Sequence, residues 1–209
     1  MFHLSIDEWN KLNFEIMNCK KCILSMYRKN PVPGEGRRDA IIMFVGEAPG
    51  AKEDEEGRPF VGAAGKLLTS LIESIGLSRD DVYITNLVKC RPPNNRDPEP
   101  EEIETCSPYL IKQILLIKPK IIVALGRHSG KFLFEKTGLK WRSIGSERGR
   151  EHRVKIFENE TILLATYHPA AALYNPEIKG FLERDFELIR RLYVEISSSK
   201  KPKTILDYF

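Results

Sequence analysis

No apolar run in this chain approaches the length that crosses a bilayer, and Met1–Asn10 lacks the apolar core of a signal peptide. Both absences predict an intracellular, cytoplasmic protein with no membrane partner. A strong charge bias is missing too. Lys and Arg number 33 against 29 Asp and Glu, a net charge of +4. That excludes a polybasic tail protein, while a mild basic excess gathered on one face suits an anionic partner. Glutamine is scarce beside abundant Glu, Lys and Arg, a composition that leans toward a thermophilic source. Two nucleotide signatures are also absent. Gly65-Lys66 is followed by Leu67, so there is no P-loop hydroxyl for magnesium. Gly46-Glu47-Ala48 lacks the second glycine of the dinucleotide fingerprint. No internal repeat is visible, and 209 residues suit one domain.

What is present is concentrated between Ile41 and Leu68. An apolar run, Ile41–Val45, empties into Gly46-Glu47-Ala48-Pro49-Gly50. An acidic loop follows, then Gly57-Arg58-Pro59-Phe60-Val61-Gly62, then a helical pattern. Open α/β sheets build their sites where a buried strand ends in glycines and re-enters as a helix. Gly46 and Gly50 allow main-chain N–H groups to approach a ligand, Glu47 supplies a carboxylate, and Phe60 supplies a flat ring.

Four cysteines complete the unusual features: Cys19 and Cys22 as a C-x2-C pair, then Cys90 and Cys106. Four thiolates suit a tetrahedral zinc or an iron–sulfur cluster. Zinc ribbons use two C-x2-C pairs, so one pair plus two isolated ligands favours a cluster. Its role is expected to be structural, pinning the N-terminal segment to the Cys90–Cys106 loop.

Periodicity predicts helices over 5–17, 63–75, 100–117, 129–136 and about 177–196. It predicts strands over 41–45, 82–84, 121–125, 153–157 and 161–165, with loop between 18 and 38. Strands alternating with helices imply a parallel sheet covered on both faces. Glu47, Asn86 and His168 each follow a strand, so a parallel sheet sets them along one edge.

Taken together, Gly46–Gly50, Gly57-x-Pro59-Phe60-Val61-Gly62, Thr85-Asn86-x-x-Lys89-Cys90-Arg91-Pro92-Pro93, His168-Pro169 and the cysteine quartet resemble the family 4 uracil-DNA glycosylases. The match runs in order from Cys19 to about residue 195. The resemblance implies a three-layer α/β/α sandwich with a short, mainly parallel sheet and a [4Fe-4S] cluster on Cys19, Cys22, Cys90 and Cys106. It also implies release of free uracil from DNA, leaving an abasic site, without a metal in the chemistry. Location at the nucleoid and a monomeric state are expected with it. A glycosylase of broader base choice, or a non-catalytic DNA- or clamp-binding module, is the alternative.

On that reading the Asn86 amide matches uracil O4 and N3–H, Phe60 stacks on the flipped base, and His168 donates to O2. Glu47 stabilises the sugar cation or directs the attacking water. Gly46 and Ala48 border the base, and the Glu47–Pro49 segment is the candidate barrier to thymine. Lys89, Arg91, Arg96 and Leu173 are the expected DNA contacts, Leu173 as a wedge in the vacated stack. Residues 1–196 form the predicted domain and 197–209 a tail. There Ile205, Tyr208 and Phe209 are spaced like a sliding-clamp peptide, although Pro202 stands where such peptides carry glutamine.

Overall fold

The computed structural model describes residues 2–156 and 159–199. Six strands make one sheet: β1 (Glu35–Gly36), β2 (Ile42–Gly46), β3 (Tyr83–Asn86), β4 (Ile121–Leu125), β5 (His152–Ile156) and β6 (Asn159–Thr166). Their spatial order is β1-β3-β2-β4-β6-β5. The four central strands are parallel, and the two edges pair antiparallel. The chain lays β3 on one side of β2 and then crosses to lay β4 on the other. The carboxyl ends of β2 and β4 therefore flank the point where strand order reverses, the usual place for a ligand crevice in an open α/β sheet.

Both sheet faces are buried because side chains alternate along each strand. Ile42, Phe44, Ile84, Val123 and Leu164 face one way. They pack with Leu68 and Ile72 of α3 (Ala63–Ser74) and with Phe186 and Ile189 of α8 (Pro176–Ser199). Met43, Val45, Tyr83, Ile122 and Leu163 face the other way. They meet Leu110 and Ile114 of α4 (Pro100–Ile117), Leu133 and Phe134 of α5 (Arg127–Lys136), and Trp9 of α1 (Phe2–Met17). This is the expected three-layer sandwich. Two short helices, α6 (Ile144–Glu147) and α7 (Pro169–Ala172), lie in the connections.

Three local expectations change. The acidic stretch after Gly50 is a helix, α2 (Ala51–Glu56), rather than a loop. Glu53 and Asp54 lie in its first turn, where carboxylates complement the exposed N–H groups, and Gly57 ends it in the left-handed region at φ 68°. The span 18–38 contains a 3-10 turn, Ile23–Met26, and the edge strand β1. The last helix continues through Ser199, so the first residues assigned to the tail are helical. Ile205, Tyr208 and Phe209 lie outside the described residues.

Candidate active site

Three of the four parallel strands end in the residues expected along one sheet edge: Gly46 and Glu47 at β2, Asn86 at β3 and His168 after β6. Asn86 closes β3 directly opposite Gly46 at the end of β2. A Cβ on Gly46 would stand 2.3 Å from Asn86 Oδ1 and 2.6 Å from Phe60 Cζ. Amide and ring therefore meet over a residue with no side chain. Asn86 is 1% exposed, and its Oδ1 has no hydrogen-bond partner among the described residues. Leaving a buried acceptor unpaired costs about 1–3 kcal/mol. A ligand N–H at this spot recovers that cost.

Phe60 is held in a conformation that aromatic residues rarely adopt, φ 52°. Three devices impose it. Arg79 donates to the carbonyls of Pro59 at 2.8 Å and Phe60 at 3.1 Å, and is itself paired with Glu35. Glu53 Oε1 accepts the N–H groups of Val61 (2.9 Å) and Gly62 (2.8 Å). Gly65 allows α3 to pass beneath, since a Cβ there would be 1.9 Å from the Phe60 oxygen. Backbone strain of this kind persists only where surrounding contacts over-determine it.

His168 follows β6 and caps α7. Its Nδ1 accepts the Ala170 N–H at 3.2 Å, so the ring proton sits on Nε2. Its ring stacks on Phe60 with centroids 5.5 Å apart. Burial pushes its pKa down to about 4, only partly opposed by Glu53. The imidazole is thus a neutral donor at ordinary pH.

Glu47 points toward β4. Its Oε2 lies 3.8 Å from Nε2 of His128, which in turn is 3.4 Å from Asp97 Oδ2. Arg127 pairs with Asp97. Burial raises the Glu47 pKa above the usual carboxylate range, as does Asp97, while His128 and Arg127 pull it down. His128 and Asp97 are the site-lining residues that sequence reading missed. The available signal was Gly126-Arg127-His128 at the end of the one central parallel strand whose terminus had been given no role.

The remaining expected residues divide. Ala48 is packed beside the cysteine-bearing cluster of side chains. Leu173 is 39% exposed, and its neighbour Tyr174 is 91% exposed. Arg91 bonds Asn95 at 2.8 Å. Arg96 forks onto the buried Glu102 at 2.9 and 2.6 Å, so its charge is largely neutralised. Lys89 is a correction: at 1% exposure it cannot touch DNA. Its Nζ donates instead to Thr85, Asn86 and Gln113, an arrangement that satisfies a buried ammonium. Burial draws its pKa down to about 7, against the upward pull of Cys106 and Cys90.

Cys19, Cys22, Cys90 and Cys106 line one small pocket, and all four are free thiols. Arg28 donates to Cys90 Sγ at 2.9 Å, and the Lys89 N–H donates to Cys106 Sγ at 3.2 Å. Donors aimed at sulfur suit thiolates that carry metal. Four thiols lining one pocket, two of them already accepting N–H groups, are a donor set that suits a thiolate-bound metal group.

The family model for the Uracil DNA glycosylase superfamily matches residues 33–190. A type-4 uracil-DNA glycosylase of Sulfurisphaera tokodaii is 58% identical over 205 residues, covering 98% of this chain and 91% of the relative. The type-4 enzyme of Saccharolobus solfataricus is 55% identical, covering 96% and 91%. That of Archaeoglobus fulgidus is 50% identical, covering 93% and 95%. The chain belongs to the uracil DNA glycosylase superfamily, in its type-4 group.

Proposed function

We propose that this chain excises uracil from DNA by hydrolysing the N-glycosidic bond, with Asn86, Phe60, His168 and Glu47 as its working residues. The observation that carries this assignment is the buried, unpartnered Oδ1 of Asn86 facing the Phe60 ring across Gly46. Uracil flipped from the stack offers N3–H to that oxygen and O4 to the amide nitrogen. Cytosine presents the reverse edge, leaving groups unpaired at about 1–3 kcal/mol each.

As the N1–C1′ bond breaks, negative charge grows on the pyrimidine, chiefly at O2, and positive charge on the sugar. The neutral His168 offers Nε2–H to O2 without first having to lose a proton. A donor aimed at developing charge is worth about 10²–10³ in rate. Ionised Glu47 stabilises the sugar cation or orients water toward C1′. Gly46 and Ala48 border the ring, and the Glu47–Pro49 segment excludes the thymine methyl. Arg91 and Leu173, on exposed loops, meet the DNA.

Cys19, Cys22, Cys90 and Cys106 would hold a [4Fe-4S] cluster that supplies cross-linking rather than chemistry. It would tie the segment carrying Cys19 and Cys22 to the segment after β3, through Cys90, and to α4, through Cys106. The tail residues Ile205, Tyr208 and Phe209 would engage a sliding clamp, which deletion of 202–209 should abolish in a clamp-binding assay.

The enzymatic assignment is tested with a uracil-containing oligonucleotide and alkaline cleavage of abasic sites. Glu47→Ala, Asn86→Ala and His168→Ala should each slow release by about 10²-fold or more. Wild-type rates in all three would end the assignment.

A further inference from the structure

Lys89 ties the end of β3 to the cysteine-bearing segment, its side chain bonding the main chain of Asn86 and its own N–H bonding Cys106. Its Nζ lies 2.6 Å from Thr85 Oγ1, 2.7 Å from the Asn86 main-chain oxygen and 2.7 Å from Gln113 Oε1. All three ammonium protons thus have acceptors. Gln113 is fixed in turn, donating to Pro33 O at 2.8 Å and Tyr83 Oη at 3.1 Å. The main-chain N–H of the same lysine donates to Cys106 Sγ, and Cys90 follows in the chain. Asn86 Oδ1 has no partner of its own. The place from which that amide reaches a ligand is set by the main chain that carries it, and Lys89 grips that main chain at the Asn86 carbonyl.

We propose that Lys89 is a positioning residue for base recognition, holding the end of β3 between Gln113 and Cys106 so that the Asn86 amide meets the pyrimidine at bonding distance. The proposal rests on the assignment of Asn86 as the amide that reads uracil. Lys89→Met keeps the length of the side chain and removes its three bonds. It should slow excision through Asn86 alone, because a displacement of about 1 Å in a working group costs on the order of 10²-fold in rate. Residues acting through one another are non-additive, whereas independent damage adds.

The test is a double-mutant cycle on the full chain. Single-turnover uracil release is measured for wild type, Lys89→Met, Asn86→Ala and the double variant. Each is checked for metal content and visible absorbance. The expected result is a loss of about 10²-fold from Lys89→Met in the wild-type background and about twofold or less in the Asn86→Ala background. Equal losses in both backgrounds would overturn the positioning role and leave Lys89 purely structural. Should Lys89→Met fail to fold or lose its metal, Gln113→Met, which removes one Nζ acceptor, is put through the same cycle with the same two outcomes. Asn86→Ala at the wild-type rate would instead remove the base-reading assignment, and the proposal with it.

Discussion

Gly46→Ala is a one-methyl perturbation with a consequence that follows from two distances. The new Cβ would fall 2.3 Å from Asn86 Oδ1 and 2.6 Å from Phe60 Cζ. To reach even a tight 3.0 Å contact, the amide must retreat by about 0.7 Å and the ring edge by about 0.4 Å. Neither moves freely. Asn86 lies at a strand end whose carbonyl is bonded by Lys89, and Phe60 is locked at φ 52° by Arg79 and Gly65. Overpacking a site of this kind typically costs about 1–3 kcal/mol. Displacing a base-reading group by nearly 1 Å costs about 10²-fold in rate. The expected outcome is a folded protein with a melting temperature lowered by several degrees and uracil release slowed about 10²-fold. Single-turnover excision at saturating enzyme, beside a thermal melt, measures both. A rate within about threefold of wild type would refute the claim that Gly46 is the floor on which amide and ring converge.

Other predictions follow from charge and metal. Excision should fall on the acid side at a pH above the ordinary carboxylate range, because the raised pKa of Glu47 protonates it early. His128→Gln removes a downward pull and should shift that acid limb upward in a pH–rate profile, whereas Asp97→Asn removes an upward push and should shift it downward. His168 also affects stability. Its pKa of about 4 lies below the ordinary 6.5, so the unfolded chain binds more protons between those values. Its contribution to stability should therefore be present above pH 6.5 and be lost as pH falls toward 4, and His168→Phe should flatten that dependence in urea unfolding at pH 7 and pH 5. Serine at Cys19, Cys22, Cys90 or Cys106 should lower bound iron and acid-labile sulfide together, and the melting temperature with them; zinc at one equivalent without sulfide would contradict the cluster.

The family motifs made much of the site legible because they are short-range devices. Gly46 ends a strand at a place where no Cβ fits, and His168 follows another strand. The cysteine quartet was readable as a set, and the structure brings all four to one pocket. Lys89 was misread for a physical reason. A lysine two residues before an arginine, in a segment that runs into Pro92-Pro93, looks solvent-exposed. Its burial depends on Gln113, 24 residues further on, supplying an acceptor that no local pattern announces. The acidic stretch 51–56 was misread because six residues are too few to show a helical period.

The sequence by itself determined the strand–loop–helix grammar, the residues that follow each strand, and the four-cysteine set, since each depends on local backbone preference or on residue identity. Tertiary structure decided the neighbours. Laying β4 between β2 and β6 puts His128 beside Glu47, sets His168 one strand further away, and leaves Phe60 to bridge from Asn86 to His168. Strand order depends on how the two apolar faces are shared among helices distant in sequence. For that reason the partners of Glu47 became visible only when the sheet was assembled.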